Sequence, residues 1–131
     1  MRMSDLVRVD AERFRHAPMG SVHVGPTLLV WAASPRLVGS AGWGVVQVDQ
    51  IQGAIALWLQ AVWPKVEDGV CLITDMSAFA PLLPETYQAF AEFGRGFMPA
   101  LAAKKTRHLV LLPEAPTDVM RVISAGFLTA L

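Results

Sequence analysis

The run Val70-Cys71-Leu72-Ile73-Thr74-Asp75 decides the fold. It meets no polar residue until Thr74 and Asp75, the pattern of a strand covered on both faces. Gly69 opens the run, and Asp75-Met76-Ser77 closes it with residues that favour turns and caps. Such a strand needs helices above and below it, and helical patterns both precede and follow it. The expected class is therefore α/β, a mixed central sheet with helices packed on it. At 131 residues the chain reads as one domain over 1–131, since a single core commonly occupies roughly 100–200 residues.

Toward the N-terminus, Asp49 reads as a helix N-cap with Gln52 in capping-box position, and Pro64 sets the limit of that helix at about Trp63. Ile51, Ile55, Trp58 and Val62 form its buried stripe, while Leu57, Leu59 and Trp63 lie off it. A helix apolar nearly all round is buried on more than one side. Upstream, Val45 to Val48 suggest a short strand, and Arg36 to Gly44 are too rich in glycine for their pattern to decide a conformation. Val22-His23-Val24 and Thr27 to Trp31 read as two strands joined by a tight Gly25-Pro26 turn. Val7-Arg8-Val9-Asp10 alternates as a half-exposed edge strand does, and if the extended form continues, Arg13 and Arg15 project on the side opposite the Phe14 ring.

Toward the C-terminus, Ala78 to Leu83 read as an irregular apolar loop, and Pro84 with Glu85 starts the next helix. Tyr87, Phe90, Gly94, Phe97 and Leu101 keep helical spacing. Two glycines and Pro99 oppose it, at about 1 and 3 kcal/mol each, so a kink or break is expected near Phe97. His108 to Leu112 is a further covered strand. Pro116 starts a last helix whose buried stripe is Val119, Met120, Ile123, Phe127 and Leu131.

Composition narrows the function classes. Eleven basic and eleven acidic residues balance, so no field of one sign points to nucleic acid. Hydrophobic residues make up 53% and charged residues 17%, an apolar excess that suggests a surface covered by a partner, such as a second copy. One cysteine rules out an intrachain disulfide and favours a reducing, cytoplasmic setting. The most apolar window, Gly53 to Trp63, is shorter than the roughly 20 residues of a membrane span.

The order of elements, with Leu72-Ile73-Thr74-Asp75-Met76-Ser77 at its centre, resembles the STAS domains, the family of the anti-sigma factor antagonists. The resemblance extends by element order over residues 27–131. It implies a non-catalytic regulatory role exercised through protein binding. Antagonists of that family carry Asp-Ser-Ser-Gly at the start of the next helix, where a serine is phosphorylated. Counting on from Asp75, the corresponding residues are Leu83-Pro84-Glu85-Thr86, so no phosphoserine switch is expected. The family also continues with a strand and helix beyond the position of Leu131; the expectation is a smaller sheet or one completed by another chain.

Few residues suggest chemistry. Asp75 stands at the carboxyl end of a central strand, where α/β folds place ligand groups, though a carboxylate capping the following turn is the more common arrangement. Ser77 is the second candidate contact for a ligand, with a capping role as its alternative. His16, His23 and His108 lack metal-ligand spacing, and no cofactor motif stands out. Gly94-Arg95-Gly96 follows no strand and so makes a poor anion nest. Trp43, between two glycines, could anchor a partner, and Trp58, Trp63, Phe79, Leu82 and Leu83 are the other residues expected at such a contact. The sequence thus predicts a non-enzymatic, homodimeric protein-binding module. The alternative is a carrier of a small apolar ligand or lipid, with a pocket between the sheet and the helix near Phe97.

Overall fold

The computed structural model describes residues 5–112. Six strands lie side by side in chain order: β1 (Val7–Arg8), β2 (Ser21–Val24), β3 (Leu28–Ser34), β4 (Leu37–Gly44), β5 (Cys71–Phe79) and β6 (Arg107–Leu111). β2, β3 and β4 form an antiparallel meander, whereas β1–β2, β4–β5 and β5–β6 are parallel pairs. Each parallel step needs a crossover, and each has a helix: α1 (Ala11–His16), α2 (Val48–Ala61) and α3 (Pro84–Ala103). The protein is α/β with a mixed sheet, as the sequence indicates.

The strand order advances in one direction throughout. Right-handed crossovers then put every helix on the same face of the sheet. Phe14 of α1, Leu57 and Trp58 of α2, and Phe97 and Leu101 of α3 accordingly share one buried cluster with Val30, Val38 and Leu72. This corrects the expectation of helices above and below β5. That strand is interior to the sheet, between β4 and β6, but only its Leu72 side meets described helices. Cys71 and Ile73, on the alternate side, are half-buried.

Local chemistry explains the other departures. Asp10 caps α1 by accepting a hydrogen bond from the Arg13 backbone N–H at 2.8 Å, so the chain turns helical after β1 and the extended form does not continue to Arg13 and Arg15. The cap of α2 is Gln47 rather than Asp49, because the Gln50 side chain reaches back to accept the Gln47 N–H. Val45 to Val48 therefore form a turn and the helix start instead of a strand. α2 ends at Ala61, followed by a 3-10 turn over Trp63–Lys65. α3 continues unbroken to Ala103 with Pro99 inside it, against the expected break. Burial of Phe97 and Leu101 in the core offsets the propensity cost there. The Gly94-Arg95-Gly96 stretch is interior to this helix. The last expected helix, from Pro116, lies outside the described residues.

β4 is a central strand in spite of its three glycines, and two of them have tertiary causes. A Cβ on Gly39 would sit 2.5 Å from both the Ile73 carbonyl oxygen and the Trp31 ring, which lies over this position on the sheet face away from the helices. On the other face, a Cβ on Gly42 would collide with the Phe79 ring and would sit 2.6 Å from the Leu28 side chain. Gly39→Ala is therefore expected to destabilise the fold by about 1–3 kcal/mol in urea unfolding. A variant as stable as the parent would show that β4 has room to spare.

Candidate functional site

A cavity of about 100 Å3 lies between the sheet and helices α2 and α3. Three devices shape it. The first is a bulge in β5, where three steps from Asp75 to Ala78 run beside two from Ala41 to Trp43. Asp75 Oδ1 holds the bulge by accepting from the Ser77 backbone N–H at 2.9 Å and from the Ser77 hydroxyl at 2.5 Å. The extra residue reverses the alternation, so Met76 and Phe79 both face the helices.

The second device is an aromatic cluster. The Phe97 ring meets Trp58 at 5.3 Å and Trp63 at 4.7 Å, both edge-on, and stacks on Phe93 at 5.2 Å. These are favourable geometries, worth about 0.5–1.5 kcal/mol per pair beyond area burial. Trp58, Phe93 and Phe97 all contribute to the cavity wall. The third device clamps the start of α3. Thr86, fully buried, donates its hydroxyl hydrogen to the Val46 carbonyl oxygen at 2.9 Å, fixing α3 to the turn before α2.

Polar groups in the wall are few. Thr74 Oγ1 and His108 Nε2 are hydrogen-bonded at 2.9 Å across the β5–β6 pair. His108 is 9% exposed, and burial lowers its pKa from 6.5 to about 4, so the ring is neutral at pH 7. The Trp58 indole Nε1 is buried and has no hydrogen-bond acceptor among the described residues. Among the described residues, no lysine or arginine lines the cavity. Such a wall solvates a small neutral molecule better than an ion.

Of the residues singled out for a ligand, Asp75 borders the cavity, but one of its carboxylate oxygens is committed to Ser77. Ser77 is exposed and serves the bulge. The residues expected at a partner contact divide. Trp43 is 36% exposed, and Trp63, Leu82 and Leu83 are half-buried. Trp58 and Phe79, at 7% and 8% exposure, are buried and line the cavity. His108, which had no assigned role, joins the site. Its position at the start of an expected strand was visible, but its pairing with Thr74 depends on parallel register.

A second recess, about 260 Å3, lies between α1, α2 and the β2–β3 hairpin and is bordered by Arg15 and His23. His23 Nδ1 there is hydrogen-bonded to the Val9 carbonyl oxygen at 3.0 Å. No group of three His, Cys, Asp or Glu side chains suited to a metal occurs among the described residues. No described helix is long and apolar enough to cross a membrane. Comparison with protein-family models, with curated proteins and with solved structures gave no match to this chain.

Proposed function

We propose that this chain is a non-catalytic binding module whose cavity takes a small, mainly apolar molecule. The observation carrying this reading is the aromatic-walled space between α3 and the sheet. Apolar cavities of about 150 Å3 take up a ring the size of benzene, and a volume of about 100 Å3 sets a similar or smaller limit here. Native mass spectrometry of the purified full chain is expected to show a mass increment from a retained small molecule, or uptake of added benzene in a thermal-shift titration. A protein that arrives empty and gains no stability from benzene would rule the reading out.

A second reading rests on different residues. On the sheet face turned away from the described helices, Leu109 is 50% exposed and Leu111 40%. Apolar side chains on an open strand suit a second copy of the chain or another protein. That reading makes the chain a homodimeric, cytoplasmic scaffold or regulator of STAS-like kind. Its support is the resemblance around Leu72 to Ser77, together with the order of strands and helices. Light scattering at rising protein concentration tests it: a dimer is expected, and a monomer throughout would argue against the second copy.

A further inference from the structure

We propose that the sheet face turned away from α1, α2 and α3 is a docking surface, and that its occupant is the chain's own segment 116–131.

Strand register lays out that face. Val22, Trp31, Gly39, Ile73 and Leu109 are partners in turn across β2, β3, β4, β5 and β6, forming one row across the sheet. Val30, Val38 and Leu72, their neighbours along the chain, pack with the helices, so the row itself faces the other way. Trp31 is the anomaly in it. Its ring lies against Gly39, which closes one side of the indole. On a bare sheet the other side would meet solvent, yet Trp31 is 5% exposed. It also belongs to neither of the buried clusters that the described helices build. Leu109 and Leu111, on the outermost strand, stay 50% and 40% exposed. The cover is therefore local to the middle strands, and no described helix supplies it.

Two stretches of sequence lie outside the described residues, 1–4 and 113–131. The first, Met1-Arg2-Met3-Ser4, offers two apolar side chains beside the β1 edge. The second follows β6 and carries Val119, Met120, Ile123, Phe127 and Leu131 at helical spacing, after a Pro116 that suits a first helical position. As a helix, 116–131 would be about 24 Å long. The three strand spacings from β6 to β3 come to roughly 14 Å, so the stripe can reach Ile73 and Trp31 together. The surface matches it chemically, since the row from Val22 to Leu109 holds no charged side chain. β4, β5 and β6 are also parallel, and parallel strands are usually covered on both faces. The strip bearing Leu109 and Leu111 stays open for the second copy considered above.

The deciding measurement is of nuclear Overhauser contacts in the unaltered full chain. Cross-peaks are expected from the Trp31 ring protons to the methyl groups of Val119, Met120 or Ile123. Cross-peaks to the methyls of Met1 or Met3 in their place would assign the cover to the other stretch and overturn the proposal. Cross-peaks seen only between differently labelled copies in a mixed sample would assign it to a second copy, with the same consequence. A Trp31 ring that touches none of these groups would sink it as well.

Cys71 supplies an independent rate. It is the chain's one cysteine, lies two residues from Ile73 on the same face and is half-buried. Its reaction with a thiol reagent is expected to quicken about tenfold in Ile123→Asp, the effect of moving a local opening equilibrium by about 1.4 kcal/mol. Thr129→Asp, on the opposite side of the same helical pattern, is expected to leave the rate unchanged. Equal acceleration by the two substitutions, or none by either, would overturn the proposal. Should Ile123→Asp fail to fold, the Overhauser contacts of the unaltered chain still decide.

Discussion

Replacing Phe97 by alanine is expected to lower the unfolding free energy by about 3–5 kcal/mol, the range for removing a buried phenylalanine from a core that relaxes only in part. The ring is 8% exposed and touches Trp58, Trp63 and Phe93, so it joins α2, the 3-10 turn and α3 in a single contact. Helix propensity acts in the opposite direction, since alanine is the better helix former at an interior position of α3. Any loss is therefore a packing loss. Denaturant unfolding of parent and variant measures it. Saturating benzene should restore stability to the variant, because the deletion adds volume beside an existing apolar cavity. A loss under about 1 kcal/mol, against typical total stabilities of about 5–15, would remove Phe97 from the centre of this account.

The second large effect is a dependence of stability on pH that runs through His108. Burial lowers its folded-state pKa from 6.5 to about 4. Between those values the unfolded chain holds the proton and the folded chain does not, so unfolding takes up a proton. Stability from this group is fully present above pH 6.5 and declines as pH falls toward about 4. The integrated loss is up to about 3 kcal/mol at 1.36 kcal/mol per pKa unit. His108→Gln removes the titration and keeps an amide near the Nε2 position, where it can still pair with Thr74. Carboxylates give both proteins an acid slope, so the difference between the two curves isolates His108. It should be flat above pH 6.5 and narrow steadily below it. Parallel curves from pH 7 to 4.5 would show that the imidazole is solvated enough to titrate normally.

Elements with strong local signals were legible in the sequence. The β2–β3 hairpin follows from Gly25-Pro26 between strand-forming runs, and the Gly25 N–H donates to the Leu28 carbonyl oxygen at 2.7 Å to close it. Pro84 opens α3 where a first-position proline should. The two covered runs became the parallel neighbours β5 and β6. At the site, a space between the sheet and the helix near Phe97 was expected from a kink or break there, but the cavity lies beside a helix that runs on without a break. Of its polar groups, only Asp75 stood out beforehand, and its carboxylate holds a bulge in place.

The amino-acid order by itself determined the α/β class, the hairpin, the two apolar strands β5 and β6 (though not their cover) and the start of the long helix. Each of these depends on periodicity or on a residue's own backbone preferences over a few neighbours. Tertiary structure alone decided that Gly39 and Gly42 belong in a strand, because the reason for each is a ring held over or under it by another strand. It also decided that all described helices share one face, which follows from the direction of strand order and not from any one segment. The cavity is a tertiary product too. Its indole, imidazole and threonine come from α2, β6 and β5, and the parallel β5–β6 register brings the last two together, while the one-residue bulge turns Phe79 toward the same space.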